Sequence, residues 1–147
     1  MLKNIVTIQL VTKDMYRGDR QMKKQTILVV DDDREIVRAI SKLLELEGYE
    51  TLKAYDGLEA LDIIVEHAVH LIIMDVMMPK MNGYEATKAI RSLDDRPNGR
   101  AIPIIAMTAN AFAEDVQASM DAGMNGHLSK PIVMDEVVKT IARNLDR

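Results

Sequence analysis

Short apolar segments alternate with longer amphipathic segments along this chain, and this alternation is the feature that most restricts the possible folds. Ile27 to Val30 and Leu71 to Met74 are continuous apolar runs of strand length. The segment after the first run carries apolar residues at the spacing of one helix face. This arrangement is typical of βα units on a parallel sheet, whose strands are buried on both faces. It therefore predicts an α/β fold.

The pattern predicts five strands and five helices in alternation. The strands are at 27–30, 50–55, 71–74, 102–107 and 127–129, and the helices are at 34–47, 58–65, 84–93, 111–122 and 133–144. The second strand has polar residues at several positions, which is typical of an edge strand. The polar stretch at 94–100 is interpreted as a connection between the third helix and the fourth strand.

The length of 147 residues fits one compact domain. The alternation places that domain at residues 26–147 and leaves residues 1–25 outside it. We interpret residues 1–25 as an N-terminal leader or linker, because termini without docking contacts stay mobile. A second interpretation stays open: an apolar patch at residues 5–11 adds to a sheet edge or pairs two protomers into a homodimer.

Composition excludes several classes of protein. The chain has no cysteine, which excludes disulfides and thiolate chemistry and favours a cytoplasmic location. Its net charge is -4 and its basic residues do not cluster, so nucleic acid is not expected as a partner. The longest uncharged apolar stretch, 101–113, contains Pro103 and is shorter than the roughly 20 residues of a membrane-spanning helix.

Polar side chains that can bind ligands or react follow the predicted strands at their carboxyl ends. In a parallel sheet these ends meet at one edge, where open α/β sheets bind ligands. The residues at this edge are Asp31, Asp32, Asp33, Asp75, Thr108 and Lys130. The sequence therefore predicts one site built from four strand ends.

Carboxylates, a hydroxyl and an ammonium group together favour phosphoryl chemistry. Crowded carboxylates ionise together readily only beside a cation, and Mg²⁺ suits a site of few oxygen ligands. A carboxylate can form an aspartyl phosphate while a lysine and a threonine bind the other phosphoryl oxygens. Taken singly, each residue has a simpler explanation: Asp33 as the cap of the first helix, Thr108 as a cap, and Lys130 as a solvated side chain.

Four sequence blocks resemble the receiver domain of two-component response regulators. The blocks are Ile27 to Asp32, Leu71 to Gly83, Pro103 to Ala109 and Ser129 to Pro131. They occur in the family's order, and the stretch from 107 to 112 is most similar to receivers of hybrid sensor histidine kinases. The resemblance implies a flavodoxin-like doubly wound fold with strand order 2-1-3-4-5, and a site between strands 1 and 3.

The resemblance also implies the central chemistry. Asp75 would accept a phosphoryl group from the phosphohistidine of a histidine kinase or a histidine phosphotransfer protein. Asp31, Asp32, Asp75 and the backbone carbonyl of Met77 would hold Mg²⁺. A downstream protein partner, not identified by the sequence, would read the resulting conformational change.

Three further features concern the phosphoryl group and the switch. By the resemblance, Thr108 would hydrogen-bond the phosphoryl group, Lys130 would pair with it, and the peptide bond from Lys130 to Pro131 would be cis. The family usually has Tyr or Phe three residues before this lysine, and the present chain has His127. We therefore expect a smaller rearrangement of residues 108–127 as the output.

The lifetime of an aspartyl phosphate depends on the orientation of the attacking water. The flanking side chains placed to guide that water are two residues after Asp75 and two residues after Thr108, namely Met77 and Asn110. A methionine side chain cannot orient a water, so we expect slow hydrolysis.

These features predict a signalling phosphoacceptor, either alone or as part of a longer protein such as a hybrid histidine kinase. Its catalysis is limited to its own phosphorylation and dephosphorylation, so it is not expected to be an enzyme. The alternative is a haloacid-dehalogenase-like phosphatase, with Asp31 and Asp33 as nucleophile and acid. That alternative leaves Asp75 without a role.

Overall fold

The computed structural model describes residues 24–93, 97–109 and 113–145. Within them the chain forms five strands and six helices. In chain order these are β1 (Thr26–Val30), α1 (Arg34–Leu46), β2 (Glu50–Ala54), α2 (Gly57–Glu66), β3 (Leu71–Asp75), α3 (Gly83–Arg91), α4 (Pro97–Ala101), β4 (Ile104–Thr108), α5 (Ala113–Ala122), β5 (Gly126–Ser129) and α6 (Met134–Leu145).

The five strands form one parallel sheet in the order β2-β1-β3-β4-β5, which confirms the predicted order. Strand β1 lies inside the sheet, and Val30 lies opposite Ala54 of β2 on one side and Met74 of β3 on the other. The chain passes from β1 to β2 in one direction and then crosses to β3 in the other. This reversal opens a crevice at the carboxyl ends of β1 and β3.

The core has two layers because successive strand residues point to opposite faces. Leu28 and Val30 belong to a cluster that includes Ile64 of α2 and Ile90 of α3. The alternate strand residues point to the opposite face and pack with α1 and α6 in a second cluster. Its members include Ile27, Val29, Val37, Ile40, Leu44, Val137 and Ile141. Helices therefore cover both faces, and the strand ends are left as the accessible edge for a site.

The interpretation of residues 94–100 as a polar connection was wrong in part. Pro97–Ala101 forms the short helix α4, so the described residues contain one helix more than predicted. Proline is compatible with the first helical position, since its missing N–H has no intrahelical partner there. A helix of five residues is too short to show helical periodicity, which explains why the pattern did not reveal it.

Three of the sequence predictions fall outside the described residues. They are the apolar patch at 5–11, the side chain of Asn110, and the first two residues of the predicted helix at 111–122. The described part of that helix is α5, which ends at Ala122 as predicted. In the part of the chain that the structure describes, no helix is long and apolar enough to cross a membrane.

Candidate functional site

Three carboxylates meet at the carboxyl ends of β1 and β3. Asp31 follows β1 and Asp75 is the last residue of β3. Together with Asp32, each offers an oxygen, and these oxygens lie within 4.8 Å of one another. Asp31 and Asp75 are buried, whereas Asp32 is exposed. The structure thus brings together three of the predicted site residues.

Local hydrogen bonds hold the first carboxylate in place. The backbone N–H of Asp31 donates to the carbonyl of Ala54 (3.2 Å), which extends the β1–β2 pairing by one residue. Asp31 Oδ1 accepts a hydrogen bond from the backbone N–H of Asp33 (2.9 Å). The side chain of Asp33 caps α1 by accepting from Glu35 N and Ile36 N. Asp33 therefore does what the simpler explanation predicted, and it is not one of the three clustered carboxylates.

Lys130 joins the two buried carboxylates. Its Nζ lies 3.0 Å from Asp31 Oδ2 and 3.2 Å from Asp75 Oδ1. Its backbone N–H donates to the carbonyl of Thr108 (2.7 Å), and the Lys130–Pro131 peptide bond is cis. Burial lowers the pKa of Lys130, but hydrogen bonding to Asp31 and the charges of both carboxylates outweigh burial and raise it overall. The lysine is therefore held in its charged form.

The electrostatic balance of Asp75 is unfavourable to its charged form. The pKa of Asp75 is raised from 3.8 to about 6, first by burial and second by the neighbouring charge of Asp31. Lys130 and a hydrogen bond from the Met77 backbone act in the opposite direction. One ammonium group does not compensate two buried carboxylates, so the site favours additional positive charge.

Thr108 supplies a hydroxyl without a partner. It ends β4 and is 5% exposed, and its Oγ1 has no hydrogen-bond partner among the described residues. A buried hydroxyl left unpaired costs free energy, so such groups in native structures call for an explanation. A ligand oxygen near the end of β4 would satisfy it.

The loop after β3 contains Met77, whose backbone N–H approaches Asp75 Oδ1 at 3.4 Å. The Met77 side chain is 75% exposed. His127 lies in β5 opposite Ala106 and is also exposed. Asn110, the second residue expected to influence hydrolysis, is outside the described residues.

Gly83 has a positioning role that the sequence analysis missed. A Cβ atom at Gly83 would overlap the backbone carbonyl oxygen of Asp75 and would lie 2.9 Å from Cα of Val76. The Gly83 N–H donates to the carbonyl of Val76 (3.0 Å). Absence of a side chain therefore allows α3 to begin directly against the end of β3. The sequence showed only an Asn-Gly turn signal at this place.

The donor set fits a small divalent cation. Clustered carboxylate oxygens are the ligands that Mg²⁺ prefers, usually with several waters retained. The exposure of Asp32 leaves one side of the cluster accessible to solvent. The excess of carboxylates over ammonium groups at this edge gives such a cation a favourable electrostatic environment.

The chain matches the family model of the response regulator receiver domain over residues 27–142. Among curated proteins, it is 38% identical over 121 residues to the sensor histidine kinase RcsC of Salmonella typhi, covering 82% of this chain and 12% of that protein. It is 36% identical over 117 residues to the polar-differentiation response regulator DivK of Brucella anthropi, covering 80% of this chain and 93% of DivK. The chain thus spans a small part of RcsC and nearly all of DivK.

Solved structures give the same result. The chemotaxis response regulator CheY4 of Vibrio cholerae is 34% identical, with a TM-score of 0.78 over 84% of this chain and 100% of CheY4. The receiver domain of a sensor histidine kinase from Pseudomonas aeruginosa is also 34% identical, with a TM-score of 0.77 over 85% of this chain and 100% of that domain. That structure has a magnesium ion coordinated in the active-site cleft.

These findings also decide between the two functional interpretations. The phosphatase alternative paired Asp31 with Asp33, but Asp33 caps α1 while Asp75 lies in the carboxylate cluster. The family match, the strand order and the cluster all agree with one assignment. The chain belongs to the response regulator receiver domain family, as found in response regulators and in hybrid sensor histidine kinases.

Proposed function

We propose that Asp75 accepts a phosphoryl group from a phosphohistidine of a histidine kinase or a histidine phosphotransfer protein. The observation that carries this assignment is the environment of the Asp75 carboxylate, which combines the Lys130 ammonium, two further carboxylates and a pKa of about 6. Asp31 is the less suitable nucleophile, since a backbone N–H engages its Oδ1 and Lys130 engages its Oδ2. The contacts of Asp75 with Met77 N–H and Lys130 are both made by Oδ1.

The chemical step follows from the residues present. An Asp75 carboxylate oxygen attacks the phosphorus atom, the bond from phosphorus to the histidine nitrogen breaks, and its electron pair stays on the imidazole. Lys130 pairs with a phosphoryl oxygen in place of its present contact to Asp75, and keeps Asp31 as a second partner. The unpaired hydroxyl of Thr108 donates to another phosphoryl oxygen.

In the same proposal Asp31, Asp32, Asp75 and the backbone carbonyl of Met77 hold Mg²⁺. When bound, the ion supplies positive charge that offsets the negative charge of the carboxylates and of the transferring group. The cluster of three carboxylate oxygens supports this ligand set. The magnesium ion in the Pseudomonas aeruginosa receiver domain supports it by similarity.

We further propose that the chain acts by signalling rather than by turnover of a substrate, and that it works in the cytoplasm. Thr108 and Lys130 are joined by a backbone hydrogen bond, so a ligand that engages both side chains pulls on the ends of β4 and β5 together. His127 lies three residues before Lys130 in β5 and moves with this strand. The partner that reads this change is a protein docked on the surface around residues 108–127.

The domain boundaries are part of the proposal. We assign residues 26–147 to the receiver domain and residues 1–25 to a leader or linker, in agreement with the family match at 27–142. Deletion of residues 1–21 leaves every site residue in place, so phosphorylation should survive. A change in oligomer mass, or a loss of several degrees in melting temperature, would instead support docking of this segment or a homodimer.

Intact-mass measurement after incubation with acetyl phosphate or phosphoramidate tests the central assignment. We expect one added phosphoryl group in the presence of Mg²⁺ and none after chelation. The variant Asp75→Asn should lose the label, and the matched control Asp33→Asn should keep it, because Asp33 caps α1 and lies outside the cluster. Labelling that survives Asp75→Asn, or that moves to Asp31, would contradict the assignment.

A further inference from the structure

Met77 is the most exposed of the methionines that the structure describes. Met74 and Met107 are fully buried in the core, and Met78 is 8% exposed. Met77 is 75% exposed, more than Met120 at 62%. Methionine exposure of this degree gives a dissolved oxidant direct access to the thioether sulfur.

The position of Met77 gives this exposure a functional consequence. Met77 follows Asp75 by two residues, and its backbone N–H points to Asp75 Oδ1 at 3.4 Å. Lys130 Nζ contacts the same oxygen at 3.2 Å. A chemical change at Met77 therefore occurs at the rim of the pocket that holds the phosphoryl group in the proposed function.

We propose that Met77 is a site of oxidation by hydrogen peroxide, and that the sulfoxide formed there shortens the life of the phosphoryl group on Asp75. This inference rests on the proposed function. In the oxidation, the Met77 sulfur gains one oxygen atom from peroxide, the peroxide O–O bond breaks, and the rest of the peroxide leaves as water. The sulfur loses two electrons and the peroxide gains them.

The change in polarity explains the effect on lifetime. A thioether is a weak hydrogen-bond acceptor, whereas the oxygen of a sulfoxide is a polar acceptor. At the rim of the pocket, this oxygen accepts a hydrogen bond from the water that attacks the phosphorus of the aspartyl phosphate. Because the side chain is exposed, the extra oxygen causes no overlap with the core. The effect of oxidation is therefore on hydrolysis and not on folding.

Met120 offers a matched internal control. It is similarly exposed but lies in the last turn of α5, where its carbonyl accepts from the N–H of Gly123. That turn leads into β5 and lies at the amino-terminal edge of the sheet, opposite the carboxylates. Oxidation of Met120 adds the same oxygen atom to the same chain without placing it at the site.

The experiment measures the half-life of the phosphoryl label by intact mass, in the full chain, before and after treatment with hydrogen peroxide. Peptide mapping establishes which methionines carry oxygen. In the wild type and in Met120→Leu, we expect a half-life about fivefold shorter after oxidation, the factor provided by one additional hydrogen bond to the attacking water. In Met77→Leu we expect no change. Met77→Gln, which carries a polar oxygen permanently, should show the short half-life without peroxide.

Other outcomes separate the two proposals. A chain that takes no label at Asp75 before oxidation overturns the proposed function. A chain that takes the label but keeps its half-life after oxidation of Met77 overturns the inference alone. The inference also fails if Met77→Leu responds to peroxide as strongly as the wild type, since another methionine is then responsible.

Discussion

The two edges of the sheet differ in how completely their buried charged groups are compensated by the fold. At the carboxyl-terminal edge, Asp31 and Asp75 share the single ammonium group of Lys130, and the Thr108 hydroxyl has no partner among the described residues. At the amino-terminal edge, the guanidinium group of Arg91 makes four hydrogen bonds at distances from 2.8 to 3.1 Å.

The Arg91 network connects α3 with the nearby helix α4 and with the more distant segment between α5 and β5. Arg91 ends α3, and it donates to the carbonyls of Gly123 and Gly99 and to Oδ1 of Asn125. The same Asn125 oxygen accepts from the N–H of Ile104 at the start of β4. Burial lowers the pKa of Arg91, but an arginine remains charged. The charged guanidinium group therefore makes structural hydrogen bonds through all three of its nitrogens.

Groups that stabilise the fold and groups that are available for function thus lie at different edges of the sheet. The polar groups of the Arg91 network are satisfied by the fold itself, so they stabilise it. At the carboxyl-terminal edge, two buried carboxylates share one ammonium group and the Thr108 hydroxyl has no partner among the described residues, which lowers stability. In the proposed function, a bound ligand compensates these groups. Loss of the charged group should consequently lower stability at Arg91 and raise it at Asp75.

The largest expected effect is at the structural edge. Arg91→Ala should lower the free energy of unfolding by about 3 kcal/mol, because several buried acceptors lose their donor. Urea unfolding measures this loss. The control Arg143→Ala removes an exposed arginine from α6 and should change stability by less than about 0.5 kcal/mol. Loss of Asp75 labelling in a folded Arg91→Ala protein would contradict the separation of the two edges.

At the carboxyl-terminal edge, the close approach of α3 to β3 contributes to stability and not only to the site. Gly83→Ala should cost about 2 kcal/mol, since its Cβ would overlap backbone atoms of Asp75 that cannot move independently. Gly126→Ala is the matched control, because the nearest atom there is the flexible Cδ1 of Ile105 at 3.3 Å. Equal stability losses in the two variants, measured by thermal unfolding, would contradict a special role of Gly83.

Asp75→Asn should stabilise the metal-free protein, by roughly 1 to 2 kcal/mol at pH 7.5. The folded-state pKa of Asp75 is raised to about 6 from 3.8, so the carboxyl is protonated in both folded and unfolded states below pH 3.8. The unfavourable contribution of Asp75 to the free energy of unfolding grows between pH 3.8 and about pH 6 and is complete above that range. The gain from Asp75→Asn should therefore fall as the pH is lowered towards 4.

Urea unfolding in a chelating buffer at several pH values tests this dependence. Asp62→Asn, at an exposed position on α2, is the control and should show little gain at any pH. A stability loss for Asp75→Asn at pH 7.5 would show that the carboxylate is compensated within the folded chain. The contrast between the two edges would then be wrong.

A smaller effect concerns the lifetime of the phosphoryl label. Met77→Asn should hydrolyse about fivefold faster than the wild type, because an amide side chain orients water and a thioether does not. The measurement is the decay of the intact-mass signal after removal of the phosphodonor. Met120→Asn should leave the decay unchanged. An unchanged or slower decay in Met77→Asn would refute the role given to Met77.

The smallest effect is expected in the loop between β3 and α3. Lys80 has a φ of 68°, a conformation that costs a residue with a Cβ more than it costs glycine. Lys80→Gly should therefore raise the free energy of unfolding by less than about 1 kcal/mol. Lys42→Gly, in the exposed interior of α1, should lower it by about 1 kcal/mol. Thermal unfolding should therefore show a stability gain for Lys80→Gly and a stability loss for Lys42→Gly. This contrast distinguishes relief of backbone strain from the general effect of glycine.

Most of the fold was predictable because its signals are local. Apolar runs such as Leu71 to Met74 mark buried strands, and the cap at Asp33 marks a helix start. The order of the sheet came from the family resemblance, and the structure confirms it. The helix α4 was missed because five residues carry no measurable periodicity.

The chemical groups at the carboxyl edge were predictable from the sequence, since strand ends and their polar residues are adjacent in the chain. The interactions among these groups depend on tertiary contacts. Lys130 and Asp75 are separated by 55 residues, and the contact of Arg91 with Gly123 spans 32. The pKa of Asp75, the unpaired hydroxyl of Thr108 and the close approach at Gly83 depend on burial and on such distant contacts. A local pattern carries no information about them, because electrostatic and steric effects act through space.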